Sequence, residues 1–190
     1  ALTKIDDLFN KIMEVGYADF PSNESVLGTS YPFEFESVVK DIEKLKASLP
    51  PELEGGIEFI KGRDFYQQNK FDIALDYYRK CLSLWQGLSD ISPLKIAILQ
   101  FNLGLSYYRL WQKKNQQNND NLTEAKSYLE ACINIFKAEN REDLVAKFIN
   151  CLVEILRSLE EWENLENLAN ESLRLNKSIL SEYSLILETE

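Results

Sequence analysis

The feature that most constrains this chain is a helical hairpin with a glycine in its first helix, repeated along the sequence. In the first copy, Gly62 is followed by Phe65, a polar break occurs at Asn69 and Lys70, and Ala74 lies in a second apolar helix. A glycine inside a helix costs about 1 kcal/mol relative to alanine, and close packing of two helices is its expected compensation. The pattern therefore predicts two helices whose axes come close together at small residues.

A second hairpin repeats this spacing. Ser92-Pro93 is a typical helix start, and Gly104 followed by Tyr107 repeats the spacing from Gly62 to Phe65. A polar stretch then runs from 112 to 120 and is predicted to be an exposed insertion between the two helices, because it has no apolar period.

A third copy is weaker because Val153 stands where the other two copies have glycine, and Trp162 takes the place of Phe71. Small or apolar residues nevertheless recur at matching positions in the second helix of all three copies: Ala74, Tyr78 and Cys81; Ala125, Leu129 and Cys132; Leu165, Ala169 and Ser172. A repeated helical hairpin predicts a stacked array. Asn69, Asn121 and Asn140 are each predicted to lie at a helix start, where asparagine is a good cap.

This pattern resembles the tetratricopeptide repeat family over roughly residues 55–176. The resemblance implies an all-α fold, an α-solenoid of about three hairpins at 55–88, 93–138 and 141–176, whose concave groove binds a peptide or a helix. Residues 1–54 are then an N-terminal helical capping segment, and residues 177–190 a C-terminal capping helix. The alternative is an ordinary helical bundle in which small residues recur by chance.

Two amphipathic helices are predicted before the first hairpin. One opens near Thr3 and Asp6 and ends at Gly16, and the other runs from about Phe33 to Leu49, where Pro50-Pro51 stops it. We expect them to cap the exposed end of the array, as solenoids require. In the alternative interpretation, one of them is a detachable arm for a partner or a second subunit.

Charge and composition exclude several classes of function. The net charge is −10, and an acidic surface repels phosphate backbones, so nucleic acid is not an expected partner. No apolar run is long enough to insert into a membrane. Histidine is absent and no phosphate-cradling glycine loop occurs, so we expect no catalysis, no metal and no cofactor.

The three cysteines are predicted to be buried and reduced, which favours a cytoplasmic location. High asparagine and glutamine content together with absent histidine favours a bacterial source.

In the family that the chain resembles, the first helix of each hairpin lines the concave face. The corresponding residues mix aromatic and basic side chains, which dominate binding energy at interfaces: they are Phe59, Arg63, Tyr66, Phe101, Leu105, Tyr108, Arg109, Lys147, Asn150 and Arg157. This composition favours an acidic, partly apolar peptide or helix as the partner. The alternative is that Phe59, Phe101 and Leu105 pack against flanking helices, including the N-terminal pair folded into the groove.

The predicted function is a protein interaction scaffold or adaptor. Two alternatives stay open: a regulatory or sensor arm of a larger signalling protein, and an assembly factor for a protein complex. The sequence does not predict an oligomeric state.

Overall fold

A computed structural model describes Thr3, Asp6, Asp7, Phe9, Asn10 and Met13 near the N-terminus, then residues 49–114 and 119–188, with side chains as far as Lys177. Within residues 49–188 it contains six α-helices and, over the residues that it describes, no strand. In chain order the helices are α1 (Pro51–Gln67), α2 (Phe71–Trp85), α3 (Pro93–Lys113), α4 (Asp120–Ala138), α5 (Glu142–Ser158) and α6 (Trp162–Glu188). The six described residues near the N-terminus are also helical.

The helices pack in the order in which they occur in the chain. Each of α2 to α5 packs chiefly against the helix before it and the helix after it, which makes three hairpins, α1–α2, α3–α4 and α5–α6, stacked one on the next. A single hydrophobic core runs through the stack from Phe59 to Leu175. The prediction of an all-α fold is therefore confirmed, and the order in which the helices pack agrees with a solenoid arrangement.

Two predicted boundaries differ from the structure. The first helix of the first hairpin begins at Pro51 rather than near residue 55, because a proline is well accommodated in the first turn of a helix. Helix α6 continues without a break through Lys177 to Glu188, so residues 177–188 belong to the third hairpin and do not form a separate capping helix. The predicted helix from about Phe33 to Leu49 lies outside the described residues, apart from Leu49 itself, which is not helical.

The glycines lie where two helices make their closest contact, as the repeat predicts. A Cβ atom placed on Gly62 would lie 2.5 Å from the ring of Tyr78, and one on Gly104 would lie 2.9 Å from Leu129. A third close contact was not predicted: a Cβ on Gly55 would lie 2.1 Å from the indole of Trp85. Glycine at these three positions lets α1 pack on α2 and α3 pack on α4.

The turns between helices use asparagine differently from the prediction. Asn69 and Asn140 do not cap the following helix but adopt left-handed backbone conformations, with φ of 58° and 54°. Each ends the preceding helix in a Schellman turn, in which, for example, the N–H of Lys70 donates to the carbonyl of Phe65 at 3.0 Å. Glu160 occupies the same position after α5, with φ of 59°. Asn121, also predicted as a cap, lies inside α4.

The start of α3 agrees with its sequence signal, because Ser92 is the N-cap residue and Pro93 is the first helical residue. The predicted insertion at 112–120 is shorter than expected. Helix α3 continues through Lys113 and α4 begins at Asp120, and residues 115–118 lie outside the described part of the chain.

Candidate functional site

The N-terminal helical residues contact all three hairpins. The ring of Phe9 lies against Phe59 of α1, with ring centroids 4.4 Å apart, and against Trp85 of α2, at 5.7 Å. Phe9 is 1% exposed, so its ring is as buried as any core residue. Burying an aromatic side chain of this size stabilises the contact by about 1.5–3 kcal/mol. Phe9 is therefore the apolar anchor of the N-terminal residues.

Two lysines hold the N-terminal residues on either side of this anchor. The ammonium group of Lys95, at the start of α3, lies 2.5 Å from the carboxylate of Asp6. The ammonium group of Lys147, on α5, donates a hydrogen bond of 3.1 Å to the carbonyl oxygen of Met13. Asp6, Phe9 and Met13 are spaced by three and four residues, so a helix presents them on one side. We refer to Phe59, Trp85, Lys95 and Lys147 as the contact face.

A buried polar network lies beside the contact face and joins α1 to α3. Arg63 donates to the side-chain oxygen of Asn102 at 3.0 Å, and Asn102 donates to the carbonyl of Ile98 at 2.7 Å. Arg109 donates to the hydroxyl of Tyr66 at 3.3 Å. Burial raises the pKa of the Tyr66 hydroxyl, and the neighbouring guanidinium of Arg109 partly opposes that rise.

The predicted groove residues divide into three groups in the structure. Two belong to the contact face, Phe59 and Lys147. Six are buried or half-buried within the helical stack: Arg63, Tyr66, Phe101, Leu105, Tyr108 and Arg109. Asn150 and Arg157 are exposed on α5, and Arg157 pairs with Glu154 of the same helix. Binding of a partner by these residues stays a prediction.

The aromatic members of the buried group pack within the helical stack, Phe101 on the neighbouring helix α5 and Tyr108 on a residue of its own helix. Phe101 meets Phe148 edge to face, with centroids 4.8 Å apart, and Tyr108 stacks on Trp111 at 5.6 Å. Arg63 and Arg109 are 6% and 9% exposed, which leaves little of either guanidinium accessible to a partner in this arrangement. The contact of Phe101 with Phe148, like that of Phe59 with Phe9, is of the kind described by the alternative interpretation, in which these residues pack against flanking helices.

Two residues of the contact face were missed by sequence reasoning. Trp85 ends α2, and its indole N–H donates to the carbonyl of Glu52 at 3.0 Å, which orients the ring toward Phe9. Lys95 is the third residue of α3, and nothing in the repeat pattern distinguishes it from any other lysine. The signal that could have found Trp85 is its position seven residues after Tyr78, on the same side of α2.

The cysteines are buried and free, as predicted. Burial raises the pKa of the Cys81, Cys132 and Cys151 thiols well above the ordinary value, so thiolate chemistry at neutral pH is disfavoured. Over the described residues, no group of His, Cys, Asp or Glu side chains has the arrangement of a metal site. Nor does that part of the chain contain a helix with the length and apolar character needed to cross a membrane.

The chain shows a distant similarity to a known protein. The chain is 29% identical over 99 residues to an uncharacterised WD repeat-containing protein from Synechocystis sp.. The matched region covers 51% of this chain and 6% of that much longer protein. No protein-family model matches the chain.

Proposed function

We propose that this protein is an interaction module of the tetratricopeptide type, a scaffold or adaptor whose contact face binds an amphipathic helix. The observation that carries the proposal is the seating of the N-terminal residues on that face. Phe9 is buried between Phe59 and Trp85, and charged or polar contacts lie on both sides of it. Binding of an amphipathic helix in a groove is a common mode of peptide recognition.

The contacts of the N-terminal residues define the chemistry of the ligand. A suitable helix carries an aromatic residue, here Phe9, and an acidic residue three positions earlier, here Asp6. A backbone carbonyl four residues after the aromatic accepts a hydrogen bond from Lys147. Lysine on the protein and a carboxylate on the ligand agree with the predicted acidic, partly apolar partner. In this proposal the N-terminal residues compete with such a partner for the same face.

A labelled peptide tests the proposal. A peptide of residues 1–16 carrying fluorescein is titrated with the full chain and with its Phe9→Ala variant. Because Phe9→Ala empties the space between Phe59 and Trp85, we expect the variant to bind the peptide at least about tenfold more tightly than the unaltered chain does, a difference of about 1.4 kcal/mol. The matched control is the same peptide carrying Phe9→Ala, which we expect not to bind.

A charge exchange distinguishes specific binding at the contact face from nonspecific binding. A chain carrying Phe9→Ala and Lys95→Glu is expected to prefer a peptide in which Asp6 is replaced by Lys. If the Phe9→Ala chain fails to fold, a chain carrying Asp6→Lys, which keeps Phe9, takes its place as the protein titrated with the peptide. The proposal fails if chains that keep their helical circular dichroism do not bind the peptide, or if binding ignores the charge exchange.

A regulatory arm of a larger protein is a second candidate function. The observation that favours it is that the matched Synechocystis sp. protein is much longer than the matched region. The two candidates make different predictions for the complete gene product, since a regulatory arm requires further domains whose activity changes when the contact face is mutated.

A further inference from the structure

The outward side of α6 is an apolar surface without a covering helix in the described structure. Trp162 is 60% exposed and Leu173 is 54% exposed, and Ala169 between them is also exposed. Trp162, Ala169 and Leu173 are spaced by seven and four residues, so they form one stripe along the helix. We refer to these three residues as the α6 stripe.

The equivalent positions of the other two hairpins are buried or half-buried. In α2 they are Phe71 and Tyr78, at most 7% exposed, and Leu82, which is half-buried. In α4 the corresponding residues Leu122, Leu129 and Ile133 are at most 4% exposed.

The hairpin that follows contacts α2 at this stripe and α4 beside it. Tyr78 of α2 lies 3.5 Å from Asn102 of α3, measured from its hydroxyl to the amide oxygen. Phe136 of α4 contacts Phe148 of α5, with centroids 5.4 Å apart. The α6 stripe therefore corresponds to positions that are buried or half-buried in α2 and α4, and it lies at the end of the stack, where no described helix covers it.

The charges beside the stripe favour a second copy of α6 as its occupant. Two acidic residues, Glu163 and Glu166, precede Asn170 in α6, and two basic residues, Arg174 and Lys177, follow it. All four side chains are exposed. None of the four forms an ion pair within the described part of the chain. Glu163 and Lys177 are equally distant from Asn170 along the helix, and so are Glu166 and Arg174.

This spacing is that of an antiparallel pair of identical helices. When two copies of α6 cross antiparallel at Asn170, Glu163 faces Lys177 of the second copy, and Glu166 faces Arg174. All four charges lie on one flank of the stripe, and a two-fold axis places that flank beside the same flank of the other copy. In a parallel pair the two-fold axis would instead place this flank beside the opposite flank of the other copy, and the four charges would not face one another.

From the stripe and its charges together, we propose that this chain forms a two-fold symmetric dimer through antiparallel pairing of α6. The stripe is short, about 24 Å for residues 162–177, so the dimer is of the weak, concentration-dependent class. This proposal is independent of the contact face, which lies on other helices.

The test measures mass against concentration for the full chain by sedimentation equilibrium. We expect the mass to rise from 22.1 kDa toward twice that value over the micromolar range. Leu173→Glu is expected to keep the chain monomeric, because it places a carboxylate in the stripe and the exposed site tolerates it. Ile73→Glu is the matched control, since Ile73 is an exposed apolar residue on α2, and this change is expected to leave association unaltered.

Two charge-reversed chains test the antiparallel arrangement. One carries Glu163→Lys with Glu166→Lys, and the other carries Arg174→Glu with Lys177→Glu. Each alone is expected to associate at least about tenfold more weakly, because every facing pair becomes a like-charge pair. Mixed in equal amounts they are expected to form a heterodimer, in which every facing pair is again opposite in charge. A chain that stays monomeric, a dimer unaffected by Leu173→Glu, or a mixture that fails to associate overturns the proposal.

Discussion

Replacing Gly62 by alanine tests whether the glycine is there to allow close packing of α1 on α2. The added Cβ atom would lie 2.5 and 2.6 Å from two ring carbons of Tyr78. Ordinary contacts begin at 3.4 Å. The two helices must therefore separate by about 1 Å at this point, or the ring must move.

The ring of Tyr78 has little room to move. It is fully buried and packs on Phe59, with centroids 5.6 Å apart. Overpacking of a well-filled core costs about 1–3 kcal/mol, and a rigid buried ring places this site near 3 kcal/mol. Alanine gains about 1 kcal/mol over glycine in helix propensity. We therefore expect Gly62→Ala to lower the free energy of unfolding by about 2 kcal/mol.

Urea denaturation followed by circular dichroism measures this change. Gly87→Ala is the control, because a Cβ on Gly87 has no atom within 4 Å and no strained φ. We expect Gly87→Ala to leave stability unchanged or to raise it by up to about 1 kcal/mol.

A double variant tests whether the contact with the ring of Tyr78 is what destabilises Gly62→Ala. Gly104 makes the equivalent contact with Leu129, a smaller residue than tyrosine, so Tyr78→Leu creates space for the new methyl group. The loss of unfolding free energy in the double variant, Gly62→Ala with Tyr78→Leu, is then expected to be smaller than the sum of the losses in the two single variants. The close-packing explanation is refuted if Gly62→Ala is as stable as Gly87→Ala.

Three further outcomes follow from the turns, the ion pairs and the thiols. Glu160→Asn is expected to raise the free energy of unfolding by about 0.5–1 kcal/mol in urea denaturation, because asparagine tolerates the left-handed conformation better and Asn140 already occupies the equivalent turn. The hydrogen bonds from Lys126 lower the pKa of Glu161. The pair therefore adds stability at pH values above the ordinary glutamate pKa, and this stability is lost as the pH falls through the lowered pKa. Lys126→Met is expected to flatten the acid side of the stability–pH profile, measured by thermal melts from about pH 6 to pH 3. Native protein is expected to react with a thiol reagent far more slowly than urea-unfolded protein, and fast native labelling would contradict the burial of the cysteines.

The hairpins could be predicted from the sequence because their determinants are local. Gly62 and Gly104 each precede an aromatic residue by three positions, and the partner helix follows after a short polar break. Such short-range spacing fixes which sides of two consecutive helices meet. The turns were harder, because asparagine is favourable both as a helix cap and in the left-handed position that ends a helix, and only the backbone distinguishes the two uses at Asn69 and Asn140.

The contact face could not be predicted because its parts are distant in sequence. Phe9 and Phe59 are fifty residues apart, and Met13 and Lys147 are far more widely separated. No spacing rule connects such residues, because their contact depends on where the whole stack places α1, α3 and α5. The sequence showed an amphipathic N-terminal segment that needs a surface to cover, and the structure identifies the surface.

The burial of a repeated position depends on its neighbours as much as on its own residue type. Phe71 and Trp162 begin the second helices of the first and third hairpins and are both large aromatic residues, yet one is 7% exposed and the other 60%. Phe71 packs on Tyr66 of the preceding helix, with centroids 5.2 Å apart, whereas the position of α5 equivalent to Tyr66 is occupied by Arg157, which is exposed. An aromatic residue retained at an uncovered position is costly in water, since exposed apolar surface promotes association. The exposed stripe of α6 is the surface for which we propose an intermolecular contact.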